Sequence, residues 1–125
     1  WGLAFKPNTD DVRDAPSIDI AKTLLAAGAE VTGFDPEAWE TYAAEVPQVQ
    51  IVTDMYEAAR DADALIICTE WSEFSSPDFV KLKSFLNEPV VFDGRNIYSR
   101  TEMAQQGFNY YSVGRPTVEI STATT

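Results

Sequence analysis

Three cations stand beside predicted turns in a chain that is otherwise strongly acidic. Lys6 and Arg13 lie in a polar stretch that follows the apolar residues 2–5, and Arg95 comes directly after Gly94. A lysine ammonium is a mobile point charge, whereas an arginine guanidinium can hold a phosphate or a carboxylate through two parallel hydrogen bonds. These residue types beside turns indicate a site for a phosphate-bearing ligand.

Each of these cations has an ordinary alternative role on the surface. Lys6 and Arg13 could pair with neighbouring carboxylates, and Arg95 could be solvated. The acidic pairs within 10–11 and 70–73 have no metal-ligand spacing, and no histidine or thiolate stands beside them. We therefore interpret these carboxylates as solvated or as partners for Arg13 and Lys6.

Composition excludes several classes of function. The 125 residues carry a net charge of −11, from 9 basic and 20 acidic residues, so nucleic acid and anionic membrane surfaces would repel the chain. The single cysteine allows no internal disulfide, which is typical of a reducing cytoplasm, and the absence of histidine removes the commonest general base. No apolar run approaches the length of a membrane span, and no metal site is predicted.

Five further residues have a structural and a functional interpretation. Cys68 closes an apolar run, where burial makes a thiol unreactive, so we interpret it as structural rather than nucleophilic. Trp71 and Phe74 could form an aromatic wall for a base or a sugar, although such residues more often pack internally or at an interface. Asp93 is predicted to order a turn. Asp35 stands where dinucleotide-binding domains keep a ribose-binding acid, but without the glycine-rich turn we interpret it mainly as a helix cap beside Pro36.

Apolar, strand-like runs alternate with helix-like segments along the whole chain. The predicted strands are 1–5, 30–35, 49–52, 64–68, 90–93 and 108–113. The predicted helices are 16–27, 37–44, 54–60, 79–86 and 100–106. This alternation predicts an α/β fold with a doubly wound, Rossmann-like parallel sheet of about six strands in three α/β/α layers. The run 64–68 is apolar on both faces, which is typical of a strand covered on both sides.

The doubly wound strand order 3-2-1-4-5-6 predicts where a ligand would bind. Ligands lie beyond the carboxyl ends of the strands, at the point where the order reverses between strands one and four. The loops there bring Lys6, Arg13, Trp71 and Arg95 to one edge of the sheet. The chain contains no G-x-G-x-x-G turn, so a conventional NAD-binding domain is not predicted.

Three motifs together carry a family resemblance. They are GLAFKPNTDDVR from Gly2 to Arg13, TEWSEF from Thr69 to Phe74, and FDGRN from Phe92 to Asn96. In this order they resemble the C-terminal, UDP-binding domain of the UDP-glucose/GDP-mannose dehydrogenase family. The resemblance extends to about Arg115, with a mild departure at residues 14–16, where the family usually has Ser-Pro.

The resemblance implies a ligand and a role for each cation. Family members oxidise the C6 hydroxyl of a nucleotide sugar twice and reduce two NAD molecules. By resemblance, Phe5, Lys6 and Arg95 contact the UDP-sugar and Arg13 reaches the NAD. The catalytic cysteine and the NAD fingerprint belong to other parts of the enzyme, so the chain alone is expected to be inert. The full-length enzyme is expected to be a homo-oligomer.

The resemblance also implies a domain organisation. Residues 1–115 would form the nucleotide-sugar-binding domain and residues 116–125 a flexible tail. The chain starts like the last part of a strand, so we expect it to be a C-terminal fragment of a longer enzyme. The triplet at 69–71 favours UDP-glucose and UDP-glucuronate as ligands, with GDP-mannose or UDP-N-acetylmannosamine relatives as alternatives. A rival from another class is a non-catalytic interaction module in which Trp71 and Phe74 contact an oligomer.

Overall fold

A computed structural model describes residues 1–120 as five strands alternating with five α-helices. The strands are β1 (Thr32–Gly33), β2 (Gln50–Ile51), β3 (Leu65–Ile67), β4 (Val90–Asp93) and β5 (Asn109–Ser112). The helices are α1 (Pro16–Ala26), α2 (Trp39–Glu45), α3 (Met55–Ala59), α4 (Phe79–Phe85) and α5 (Arg100–Gln105), with a 3-10 turn at Ser72–Phe74. The predicted α/β class is confirmed.

The strands form two parallel sheets rather than one continuous sheet. β1 pairs with β2, and β3, β4 and β5 pair in that order. The register of the larger sheet sets Ile66 beside Phe92, and Phe92 beside Tyr111. The strand count is five, against the prediction of about six, because the first predicted strand is not regular.

The first predicted strand instead bridges the two sheets. The Trp1 nitrogen donates to the Ile66 carbonyl at 2.8 Å, and the Trp1 carbonyl accepts from the Cys68 amide at 2.9 Å. The Gly2 amide donates to the Phe34 carbonyl at 2.9 Å. Gly2 has a φ of +90°, which takes the backbone out of the extended region, so no ladder continues beyond it. The spatial order is therefore the predicted one, with an irregular first member.

Helices pack on both sides of the two sheets and form two apolar clusters with them. α1 and α2 pack with Leu3, Ala4 and Val49 on one side. α3, α4 and α5 pack against Leu65 and Val91 on the other. This arrangement gives the three predicted layers.

Local capping explains where the helices begin and end. The Asp54 carboxylate accepts hydrogen bonds from two amides at the start of α3, and the Ser99 hydroxyl accepts one at the start of α5. Pro16 is the first residue of α1, where a missing N–H costs nothing, and Gly28 follows that helix at a φ of +92°. The predicted bounds of these three helices agree with the observed ones to within one residue at each end.

A buried carboxylate, Asp35, joins three segments at the carboxyl edge of the sheet. The residue is 2% exposed and accepts five hydrogen bonds of 2.8–3.1 Å. The donors are the amides of Leu3, Ala4, Glu37 and Ala38 and the indole nitrogen of Trp71. The predicted role as a helix cap was wrong, because the donors at 37 and 38 belong to the turn before α2 and no side chain caps that helix. The other three donors tie this turn to the rest of the fold.

The end of the described chain returns to β5. Val118 and Tyr110 exchange two backbone hydrogen bonds of 2.8 and 2.9 Å, and the Ile120 amide donates to the Asn109 side chain at 2.8 Å. Residues 121–125 of the predicted flexible tail lie outside the described residues. Within residues 1–120, no helix combines the length and the apolar character that a membrane crossing requires.

Removing the charge of Asp35 should destabilise the fold strongly. In Asp35→Asn, an amide NH₂ would face donors that now meet a carboxylate oxygen, which leaves buried N–H groups unsatisfied. We expect the free energy of unfolding in urea to fall by about 3 kcal/mol. Asp10→Asn, at an exposed carboxylate, should change it by less than about 0.5 kcal/mol. Equal effects of the two variants would contradict the role given to Asp35.

Gly2 should tolerate a methyl group much less well than Gly28. Both glycines have a φ near +90°, so backbone strain in the alanine variants is matched at about 1–2 kcal/mol. A Cβ at Gly2 would lie 2.6 Å from the Thr69 Cβ, whereas a Cβ at Gly28 meets nothing within 4 Å. Urea denaturation should therefore show Gly2→Ala to be less stable than Gly28→Ala by roughly 2 kcal/mol. Equal stability of the two variants would show that the contact with Thr69 relaxes freely.

Candidate functional site

Three consecutive residues after β3 each hold a different loop at the carboxyl edge of the sheet. The Thr69 hydroxyl donates to the Ala4 carbonyl at 2.6 Å. Glu70 accepts from the Arg95 guanidinium, and the Trp71 indole donates to the buried aspartate described above. This triplet therefore joins the start of the first loop to the loop after β4. The motif TEW indicated that these residues matter, but the sequence did not show the partner of each side chain.

Arg95 forms a two-point ion pair with Glu70. Its Nη2 donates to the Glu70 Oε1 at 3.0 Å, and its Nε donates to Oε2. The two side chains are 34% and 36% exposed, so the pair lies at the surface of the edge. Hydrogen bonding to Glu70 raises the pKa of Arg95. The interpretation of Glu70 as solvated, or as a partner for Lys6 or Arg13, was wrong, because the turn after β4 places the Arg95 guanidinium against its carboxylate.

Asp93 fixes the turn that carries Arg95. Its buried carboxylate accepts from the Arg95 amide at 2.9 Å, the Ile97 amide at 2.7 Å and the Tyr110 hydroxyl at 2.6 Å. The predicted turn-ordering role is confirmed. Burial, together with the bond to Asp93, raises the pKa of Tyr110 to about 12. The tyrosine therefore stays neutral and keeps donating at physiological pH.

Arg95 and the first residue of α1 line the same cavity. It has a volume of about 300 Å³, and its walls include Pro16, Cys68, Arg95 and Ser112. Burial raises the pKa of the Cys68 thiol, which agrees with a structural rather than a nucleophilic cysteine. Its polar lining residues are Asp93, Arg95, Tyr111 and Ser112, with the thiol of Cys68, and the other side chains that line it are apolar.

The loop after the first bridging segment carries the other predicted site residues. The Phe5 amide donates to the Asp11 carbonyl at 2.8 Å and closes the loop, and Phe5 and Lys6 are both exposed. Arg13 forms a two-point ion pair with Asp11, with Nε to Oδ1 at 3.0 Å and Nη2 to Oδ2 at 2.8 Å. Neither Lys6 nor Arg13 lines the cavity beside Arg95. The structure thus brings Arg95 to α1 and leaves Lys6 and Arg13 on the outer part of the loop.

The two aromatic residues after β3 are internal. Trp71 is 6% exposed and Phe74 is fully buried, with its ring stacked on that of Trp1 at a centroid distance of 5.1 Å. The possibilities of an aromatic wall for a ligand and of an oligomer contact were therefore wrong for both residues. A loop sequence cannot show that its aromatic side chains turn inward when a polar partner such as the aspartate at 35 is distant in sequence.

The part of the chain that the structure describes holds no group of three or more His, Cys, Asp or Glu side chains placed to bind a metal ion. Two arginines near this edge, Arg13 and Arg95, are each paired with a carboxylate. An anionic ligand could replace the carboxylate on either guanidinium.

Comparison with known proteins decides the family. The model of the UDP binding domain of the UDP-glucose/GDP-mannose dehydrogenase family matches residues 1–100. The chain belongs to this family. It is 51% identical over 115 residues to a UDP-glucose 6-dehydrogenase of Rhizobium meliloti (strain 1021), and 48% identical over 118 residues to the UDP-glucose 6-dehydrogenase TuaD of Bacillus subtilis (strain 168). These matches cover 92% and 94% of the chain but only 26% of each relative.

Solved structures of related dehydrogenases share the family fold. An NDP-N-acetyl-D-galactosaminuronic acid dehydrogenase from Methanosarcina mazei Go1 matches with a TM-score of 0.79 and 34% identity, over 91% of this chain and 23% of the other. A UDP-glucose dehydrogenase from Pyrobaculum islandicum matches with a TM-score of 0.70 and 34% identity, over 88% and 23%. The chain spans about a quarter of the length of the family members that it matches.

The ion pair between Asp11 and Arg13 should be detectable in the pKa of Asp11. Hydrogen bonds from Arg13 lower the pKa of Asp11 to about 2, with a smaller contribution from the charge of Lys6. A depressed carboxyl pKa adds stability above the unfolded value of about 3.9, and that stability is lost as the pH falls through the folded value. In Arg13→Gln, the Asp11 pKa should rise toward 3.9, as followed by carbon-detected NMR.

Arg60→Gln is the matched control for this titration, because Arg60 forms the same kind of exposed two-point pair with Glu57. It should leave the Asp11 pKa unchanged. An Asp11 carboxyl that titrates near 3.9 in the unmodified chain would show that the pair does not persist in solution.

Proposed function

We propose that the chain is the UDP-sugar-binding domain of a UDP-glucose 6-dehydrogenase, an NAD-dependent oxidoreductase that converts UDP-glucose to UDP-glucuronate. The observation that carries the proposal is the position of Arg95, which pairs with Glu70 and lines a cavity bordered by the start of α1. The names of the two bacterial relatives support UDP-glucose as the sugar. Both oxidation steps would take place on polypeptide outside these 125 residues.

Arg95 is suited to bind the nucleotide sugar even though it is already paired. Glu70 occupies its Nε and one position of Nη2, and Nη1 makes no hydrogen bond within residues 1–120. A pyrophosphate oxygen could use these remaining donors or displace one Glu70 oxygen. Phe5, exposed at 46%, and Lys6 would add an aromatic surface and a second positive charge to the same ligand.

The residues of this chain fit a single peripheral contact to NAD rather than a complete NAD-binding site. The chain has no glycine-rich phosphate turn, and the Arg13 side chain is 87% exposed on its loop. We propose that Arg13 reaches a cofactor held mainly by the remaining polypeptide. When bound, NAD would accept the hydride. Within this chain Arg13 would only help to orient the cofactor's phosphates, and its pairing with Asp11 would hold the guanidinium in place.

A second candidate function is the same domain in an enzyme for another nucleotide sugar. The Methanosarcina relative acts on an N-acetylated sugar by its name, and its fold matches with a TM-score of 0.79. A UDP-N-acetylmannosamine or GDP-mannose dehydrogenase therefore remains the alternative. A non-catalytic interaction module is less well supported, because Trp71 and Phe74 are buried. A homo-oligomeric enzyme and a cytoplasmic location follow from the same proposal.

Titration of UDP into the chain tests the site. Backbone amide shifts should cluster in residues 5–13 and 93–96, and Arg95→Ala should weaken binding about tenfold through loss of charge-assisted hydrogen bonds. Arg60→Ala removes a similarly paired arginine elsewhere and should leave binding unchanged. Shifts that cluster away from both loops would contradict the proposed site. In the full-length enzyme, Arg95→Ala should raise the KM for the nucleotide sugar.

A further inference from the structure

The turn that carries Arg95 is fastened to the segment that follows β5. The Asn96 side chain donates to the Val113 carbonyl and accepts from the Val113 amide, both at 2.8 Å. Asn96 has a φ of +55°, a left-handed conformation that asparagine tolerates better than most residues. This two-point contact joins the end of the turn to the backbone just beyond the sheet.

Arg115, two residues further along, makes three hydrogen bonds with its guanidinium. Nε donates to the Ser112 hydroxyl at 3.0 Å. Nη1 donates to the Tyr98 carbonyl at 3.1 Å, and Nη2 donates to the Tyr110 hydroxyl at 2.7 Å. Because the guanidinium is planar and its donors point in fixed directions, these three partners together set its orientation.

The contact with Arg115 directs the single proton of the Tyr110 hydroxyl. That hydroxyl has two acceptors within reach, the Asp93 Oδ2 at 2.6 Å and the Tyr98 carbonyl at 3.2 Å. Arg115 donates to the Tyr98 carbonyl and also to the hydroxyl oxygen itself. It therefore occupies the competing acceptor and a lone pair of the tyrosine oxygen, which leaves the O–H to donate to Asp93.

Asp93 transmits this constraint to the turn. Its Oδ2 accepts from the Tyr110 hydroxyl, and its Oδ1 accepts from the Arg95 amide at 2.9 Å. The carboxylate is a rigid plane, so a bond that holds one oxygen also sets the direction of the other. At 1% exposure, Asp93 depends on protein donors rather than on bulk water to keep that direction.

We infer that Arg115 is a positioning residue for the nucleotide-sugar site, which acts through Tyr110 and Asp93 to hold Arg95 in place. The inference rests on the proposed function, in which Arg95 contacts the UDP-sugar. Arg115 is not among the residues that line the cavity beside Arg95, so it would influence the ligand only through this series of bonds. If Arg115 merely fastened the end of the chain to β5, its loss would not single out the amide that donates to Asp93.

Amide hydrogen exchange in the chain without nucleotide separates these two roles. The Arg95 amide donates to Asp93, whereas the Gly94 amide of the same turn donates to the Ile67 carbonyl at 2.9 Å. In Arg115→Gln, exchange at the Arg95 amide should accelerate about fivefold relative to exchange at the Gly94 amide. Equal acceleration at both amides, or acceleration at neither, would overturn the inference.

Arg100→Gln is the matched control. The Arg100 Nε donates to the Pro116 carbonyl at 2.8 Å, and within residues 1–120 no hydrogen bond joins it to Tyr110, so neither exchange rate should change. Tyr110→Phe keeps the ring but removes the hydroxyl, and it should accelerate exchange at Arg95 as Arg115→Gln does. The double variant should be no faster than either single variant, because both remove the same link. Additive effects, or unchanged exchange in Tyr110→Phe, would overturn the inference.

UDP titration connects the position of Arg95 with binding. Arg115→Gln should weaken UDP binding about threefold, the scale of ordering one side chain on binding, and Arg100→Gln should not weaken it. In the full-length enzyme, Arg115→Gln should raise the KM for the nucleotide sugar by the same factor and leave the KM for NAD unchanged. Unchanged UDP affinity in Arg115→Gln would overturn the inference. If the unmodified chain does not bind UDP, the proposed function fails, whereas the exchange rates still decide whether Arg115 holds Arg95.

Discussion

A buried carboxylate without a counter-cation holds the site edge of this domain together. Asp35 is satisfied by five N–H donors alone, and each of them comes from a segment that must be in place for the site to exist. Burying an ion costs several kcal/mol unless its lone pairs are filled. Asp35 can therefore stay buried only when residues 3–4, residues 37–38 and Trp71 are all in place around it.

The same device appears at the end of β4. Asp93 accepts backbone amides of the following turn, just as Asp35 accepts those of the turn before α2. An aspartate near the carboxyl end of a parallel strand thus orders the following turn at two places in the fold. Between the two anchors, Thr69 and Glu70 link the loops directly. The edge is organised by acidic side chains, although the ligand proposed for it is itself an anion.

Local patterns in the sequence predicted most of the architecture. The alternating apolar segments, the approximate helix bounds and the strand order follow from patterns within short windows or from general topology rules. Most of the errors concern contacts between residues far apart in sequence. The irregular bridging segment depends on Gly2 meeting Thr69, and the partner of Arg95 lies 25 residues away. The sequence shows that β3 is apolar on both faces, but it does not show that Phe92 on the neighbouring strand β4 stays exposed.

The pairing of Arg95 with Glu70 has a consequence for how the site responds to ionic strength. A solitary exposed guanidinium loses phosphate affinity as salt rises, because screening weakens the only attraction it has. In the proposed binding mode in which a phosphate oxygen displaces a Glu70 oxygen, salt would weaken the bond that is broken along with the bond that is formed. The carboxylate paired with Arg95 would then make occupancy of the site less sensitive to the salt content of its surroundings.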